Sequence, residues 1–154
     1  MTKCIVCKNT KHFHKQYIIL TKCLKCSHIF YDKKLNYKDL QKIYSNDYFF
    51  GQEYINYIND RKQVEKNANI RINSIKKYVK NIKTKNLLEI GSAFGFFLNV
   101  AKRKFRNLEG YEINSDAVDY ARDYFKLQIY KENFITKEFK NKKYDIFCLF
   151  DVIE

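Results

Sequence analysis

Proline and tryptophan are absent, methionine occurs once, and glycine occurs four times in 154 residues. With so few residues that force turns, the borders between segments are soft. No run of about 18 apolar residues exists, so no membrane span is expected. The N-terminus, with Cys4, Cys7 and scattered lysines, lacks the apolar segment of a secretory signal, so a cytoplasmic location is expected. Internal repeats and low-complexity tracts are missing. So are a paired-carboxylate hydrolase site, a Ser-His-Asp series and a Walker loop, which removes those catalytic classes. Arginine is scarce: Arg61, Arg71, Arg103, Arg106 and Arg122 are five among thirty basic residues.

Apolar residues make up 45% of the chain, with 13 Tyr and 13 Phe, enough material for a core. The length suits one domain, or a small module plus part of a larger one. A formal charge of +13 raises the question of nucleic acid. The charge, however, is mostly lysine spread among Asn, Ile, Tyr and Phe, the bias an AT-rich genome imposes on any protein. Reading phosphates and guanine edges favours arginine, whose planar fork fits both. A solvated basic surface is therefore expected, and nucleic acid is not expected as a partner.

Three segments emerge. Residues 1–31 hold paired cysteines. Residues 32–85 read as a helical connector, with an amphipathic turn over Tyr37–Tyr44 and a longer helix after Gly51. Ala68, Ile72, Ile75, Val79 and Ile82 recur there at spacings of four and three, one apolar stripe at helical period. Residues 86–154 alternate: Leu87–Ile90, Leu108–Ile113, Leu127–Tyr130 and Tyr144–Phe150 read as strands, Phe96–Phe105 and Asp116–Phe125 as helices. Strand–helix–strand alternation predicts an α/β fold on a parallel sheet.

Cys4-Ile-Val-Cys7 and Cys23-Leu-Lys-Cys26 are separated by fifteen residues. This spacing suits a tetrahedral structural zinc site in which each two-residue gap turns both thiolates to one ion. The fifteen residues can form a hairpin that brings the second pair round. A segment this short cannot bury enough apolar surface to fold unaided, so the metal supplies the missing stability. Disulfides suit a different compartment, and a redox dithiol needs one pair only. With four cysteines available, His12, His14 and His28 are not required as ligands. Cys148, in an apolar strand, reads as a buried thiol.

Asn86-Leu-Leu-Glu-Ile-Gly-Ser-Ala-Phe-Gly-Phe-Phe-Leu98 is a strand, a glycine-containing turn and a helix start. Such a turn can bring backbone N–H groups and a helix N-terminus up to a ligand, with Gly91 and Gly95 permitting close approach. Glu112 ends the next strand, twenty-one residues past Gly91, where a carboxylate can accept from ribose hydroxyls. Ser115 and Asp116 offer an N-cap and a first-turn acid to the following helix. The plainer alternative is a tight strand-to-helix turn beside a surface glutamate. Gly91-Ser-Ala-Phe-Gly95 lacks the G-x-G-x-x-G spacing of a dinucleotide site, which disfavours NAD. Asp151 falls at the carboxyl end of its strand, where open α/β sheets bind ligands, although a helix cap or solvated turn would also explain it.

The loop resembles the first motif of class I S-adenosylmethionine-dependent methyltransferases, E/D-x-G-x-G-x-G, with Ala93 in place of the middle glycine. Tyr144-Asp-Ile-Phe-Cys-Leu-Phe-Asp-Val-Ile-Glu154 resembles that family's fourth-strand motif. The cysteine pairs, Cys26-Ser-His-Ile-Phe30 and Tyr44-Ser-Asn-Asp-Tyr-Phe49 resemble a zinc-binding segment found ahead of methyltransferases in bacterial sugar and surface-glycan gene clusters. Ser27 stands where a glycine is frequent.

The resemblance implies a zinc ribbon or knuckle, a helical linker and a Rossmann-like sheet of strand order 3-2-1-4. It implies S-adenosyl-L-methionine as cofactor, with Glu89, Gly91, Ser92, Phe94 and Gly95 lining the methionine moiety and Glu112 holding the ribose. Asn133 and Phe134 would border the adenine, Asn133 standing where aspartate is common. The expected acceptor is a sugar, glycan or small metabolite. No catalytic base is assigned: Asp151 and Glu154 are the acids in the last turn, and the histidine common after the motif has no counterpart. The resemblance also implies a domain truncated after its fourth strand, inactive alone, whose exposed edge would promote self-association. Two other readings remain. One is a non-catalytic zinc-containing basic binding module, since residues 1–45 carry ten lysines against Asp32 and Asp39. The other is a remnant or subunit completed by a partner.

Overall fold

The computed structural model describes residues 3–11, 13–15, 20–31, 35–132, 134 and 143–152. The chain divides into two compact units, residues 1–36 and 37–154.

The first unit is a small antiparallel sheet in the order β1 (Phe13–Lys15), β2 (Leu20–Cys23), β3 (Ile29–Tyr31). Register is set by Phe13 opposite Cys23 and Thr21 opposite Phe30. Two turns of the same design flank it. Lys8 N–H donates to the Cys4 carbonyl at 3.0 Å and Ser27 N–H to the Cys23 carbonyl at 2.8 Å. Lys8 and Ser27 both take left-handed φ, 60° and 61°. That conformation explains why glycine is frequent where Ser27 stands: a Cβ there carries a cost that glycine avoids. Among the described residues of this unit only Cys4, Thr21 and Cys23 are buried, so aliphatic burial does not hold it together.

The second unit begins with α1 (Tyr37–Ile43), a wide turn over Tyr48–Gln52, α2 (Arg61–Tyr78) and a single 3₁₀ turn (Ile82–Thr84). It continues with β4 (Asn86–Ile90), α3 (Phe96–Ala101), β5 (Asn107–Glu112), α4 (Ser115–Phe125), β6 (Ile129–Lys131) and β7 (Ile146–Leu149). The strands form a parallel sheet in the order β6-β5-β4-β7. Leu87, Ile146 and Cys148 face the layer of α2, α3 and α4 and join their core, while Leu88, Ile90 and Tyr111 form a second cluster with Tyr130, Phe134, Tyr144 and Leu149. Among the described residues no helix is long and apolar enough to cross a membrane.

Several expectations shift. Residues 37–85 are no separate connector: Ala68 and Ile72 of α2 are buried in the same core as the sheet. The apolar stripe outlasts its helix, because Val79 is extended at φ −118° and Asn81 is left-handed at φ 54°, yet Val79 and Ile82 still pack on that core. The predicted helix to Phe105 stops at Ala101. The cap of α4 is Asn114, whose side-chain oxygen accepts from Ala117 N–H at 3.0 Å, and Ser115 is the first helical residue. The strand expected over Tyr144–Phe150 is confined to Ile146–Leu149, and Phe147 on its outer face is 51% exposed.

Candidate functional site

Two constellations carry chemistry, one in each unit. In the first, the sulfurs of Cys4, Cys7, Cys23 and Cys26 all lie within 4.8 Å of one another, with Cys4–Cys26 and Cys7–Cys23 each at 3.6 Å. Thiolates at about 2.3 Å from one tetrahedral zinc stand about 3.8 Å apart, so the set fits that ion. Burial pushes the Cys23 thiol up, but N–H donors from Cys26, Asn9 and Lys25 outweigh it and bring it down to about 6. On Cys26 the backbone donor at His28 acts downward, while burial and the three neighbouring sulfurs prevail and push it up to about 12. Four thiols crowded this way cannot all ionise without a cation among them. His28 stacks on Phe30 at 5.5 Å and stays outside the sulfur cluster, and its Nε2 is buried without a partner. His12 lies outside the described residues.

In the second unit the strands' carboxyl ends converge on the loop from Gly91 to Gly95. The sheet reverses its winding between β4 and β7, the position at which open α/β sheets form a crevice. Gly91, at φ 71°, lies under Val152, whose Cγ2 would stand 2.6 Å from an added Cβ. Gly95, at φ 75°, admits Leu127 and Ala121 equally closely. Both glycines thus also serve the chain's own packing. Ala93 takes the left-handed φ of 45°, the conformation that explains a glycine at this place in the motif.

Glu112 ties this loop to β5. Its Oε2 accepts from Ala93 N–H at 2.8 Å, and its Oε1 accepts from Ile113 N–H at 2.7 Å and Asn114 N–H at 2.8 Å. Burial raises its pKa, and the donors at Asn114, Ala93 and Ile113 oppose the rise. Glu89 lies deeper, 3% exposed, with Oε2 buried and unpartnered. Burial drives its pKa well above the carboxylate range, Arg71 on α2 opposes this, and Glu112 adds to it. Arg71 donates from Nη2 to Asp151 Oδ2 at 3.2 Å and stacks over Phe150 at 4.1 Å.

The residues singled out in the sequence therefore separate. Glu89, Gly91, Glu112 and Asp151 gather at the carboxyl edge. Ser92 is buried with an unpartnered Oγ beside Gly110. Phe94, expected beside the methionine moiety, is 2% exposed, with its ring among Phe49, Phe50, Tyr57, Phe96 and Tyr120. Phe134 packs on Tyr111 at 5.9 Å. Asn133 and Glu154 lie outside the described residues. Sequence reasoning missed Arg71, although an arginine in so lysine-rich a chain was a usable signal. It also missed Asn114, which binds the Tyr44 carbonyl and Asn46 as well as capping α4. Two shallow depressions, one beside Ile82 and one beside Asn107, lie away from this loop.

Among solved structures the chain resembles magnesium protoporphyrin IX methyltransferase (ChlM) from Synechocystis PCC 6803, solved with SAH, at 12% identity and TM-score 0.54. The match covers 75% of this chain and 58% of that one. Weaker likenesses are to DesVI of Streptomyces venezuelae (13% identity, TM-score 0.49, 77% and 44% covered) and to CalS10, an amino pentose methyltransferase from Micromonospora echinaspora (18%, 0.41, 77% and 44%). The chain spans less than two thirds of the length of each. No protein-family model matches it, and no curated protein matches it in sequence. At this identity the likeness to ChlM establishes the fold: the α/β, parallel-sheet fold of class I methyltransferases.

Proposed function

We propose that the second unit binds S-adenosylmethionine and serves methyl transfer, and that the first unit is held by one structural zinc ion on Cys4, Cys7, Cys23 and Cys26. The observation that carries the cofactor reading is the latch at the reversal point: a glycine loop after β4 tied through Ala93 N–H to an acid ending β5. The cofactor supplies a methyl group already activated on sulfonium, so the residues' work is placement and exclusion of water. Gly91 to Gly95 would border the methionine portion beside Glu89. Glu112, with three of its four acceptor sites taken by backbone N–H groups, retains one on Oε2 for a ribose hydroxyl. The rings of Phe49, Tyr57 and Phe94, closing against one another at 5.2–5.7 Å, shield the inner side of the loop from water. No described residue is assigned as a base. The proposed acceptor, a sugar, glycan or small metabolite, rests on the sequence resemblance of the cysteine segment alone.

Calorimetry of the chain with S-adenosylhomocysteine, NADH and ATP tests the reading. Binding of the first near 1:1, with none of the other two, is expected. Preference for NADH, or no binding of S-adenosylhomocysteine, overturns it.

A further inference from the structure

Arg71 projects from α2 to the carboxyl ends of β4 and β7, among acids and aromatic rings. Its helix is fixed there by Ile72, which is fully buried. Its charge acts on Glu89, Cys148 and Tyr57 and pairs with Asp151, so among the described residues it is the cation that these groups share. The pairing with Asp151 does not account for it. Asp151's side chain is 77% exposed and meets Nη2 at 3.2 Å, the kind of surface pair that contributes about 0–1 kcal/mol. A lysine, by far the commoner basic residue of this chain, would serve that purpose.

Arginine brings a flat fork of five donors, and its Cζ lies over the Phe150 ring at 4.1 Å, which holds the fork at this edge. Among the described residues only Nη2 is engaged by a carboxylate, so further donors in the plane can meet a second acceptor. The surrounding acids narrow what that acceptor is. Asp151 and the buried carboxyls of Glu89 and Glu112, which a further anion would drive still harder to keep their protons, disfavour a polyanion such as a phosphate chain. They suit a group whose own cation accompanies its anion. Glu89 Oε2, buried and unpartnered, awaits a donor in the same corner.

We propose that Arg71 is the carboxylate-recognising residue of the site, donating to the α-carboxylate of the ligand's amino-acid portion in place of, or beside, Asp151. This deepens the cofactor reading and rests on it.

The test compares two ligands on the full 154-residue chain. S-adenosylhomocysteine carries both ammonium and carboxylate, whereas its decarboxylated analogue, S-adenosyl-3-thiopropylamine, keeps the ammonium and the nucleoside. Arg71→Met, which retains an apolar stem over Phe150, should weaken S-adenosylhomocysteine roughly 10–100-fold, the usual range for a charge-assisted bond. It should leave the analogue within about two-fold. Arg71→Lys should fall between, and it reads the same difference if thermal melting shows the Met variant unfolded. Equal losses for both ligands, or no loss for either, overturn the assignment of Arg71 while leaving cofactor binding intact. Failure of the unsubstituted chain to bind either ligand overturns the cofactor reading and this assignment with it.

Discussion

Within the glycine loop, two one-carbon changes two residues apart should act in opposite directions. At Gly95 the backbone has φ 75°, and an added Cβ would lie 2.8 Å from Leu127 Cδ1 and 2.9 Å from Ala121 Cβ. Holding alanine in the left-handed region costs about 1–2 kcal/mol. Forcing α4 and the start of β6 away costs about 1–3 kcal/mol more, because the obstructing atoms belong to packed core residues. The reduced freedom of the unfolded chain returns about 0.4–1 kcal/mol. Gly95→Ala should therefore destabilise the second unit by about 2–4 kcal/mol. Ala93 already sits at φ 45° with its N–H held by Glu112. Ala93→Gly releases about 1–2 kcal/mol of strain against about 0.4–1 kcal/mol of added unfolded-state freedom, so stability should rise by about 0.5–1 kcal/mol. Urea titration with a shared slope reads both as shifts of midpoint. A Gly95→Ala midpoint equal to the parent's, or an Ala93→Gly variant weakened by more than about 1 kcal/mol, would show that the loop does not have this geometry.

Zinc analysis of purified protein should find about one ion per chain. Cys23→Ser should abolish stoichiometric metal and expose residues 3–31 to amide exchange, and metal-free protein still protected there defeats the metal reading. Glu89 offers a pH test. Its folded pKa is raised, so the folded state keeps the proton longer than the unfolded chain. Stability is then full below the unfolded carboxyl's value of about 4.3 and declines as pH rises from there through the folded value. Glu89→Gln should remove that decline, matching the parent near pH 4 and exceeding it near pH 7, and a difference that does not vary with pH excludes the assignment. Glu112→Ala orphans three backbone N–H groups and should cost about 1–3 kcal/mol in urea titration while weakening S-adenosylhomocysteine. Unchanged stability would remove Glu112 as the latch.

The parallel strands were legible because β4 is a short apolar run closed by Gly91, β5 follows one helix later and ends on an acid, and the amphipathic pattern of α4 runs without interruption to Phe125. The end of α2 was not legible. Val79 and Ile82 continue the helical spacing while the backbone leaves the helix, so a core-facing pattern reports burial and not conformation. Phe94 and Gly95 were read through their place in a ligand motif. Their neighbours, Phe49, Tyr57 and Leu127, come from distant segments that no local spacing reveals. Arg71 stood out as one of few arginines, but its place in the site was hidden for the same reason. It belongs to α2, and only tertiary packing brings it to the end of β7.

Charge illustrates how a whole-chain quantity misleads about a site. The chain carries +13, yet the carboxyl edge of its sheet gathers Glu89, Glu112 and Asp151 around Arg71. Lysines on long flexible stems remain in water at little cost, so their number follows codon usage with weak physical restraint. A buried acid is restrained strongly, because each one raises the free energy of folding unless donors or a cation answer it. Glu112 is answered by three backbone N–H groups, and Glu89 by Arg71 only at a distance. On the cofactor reading proposed above, the ligand's own cation would answer the free buried oxygen of Glu89.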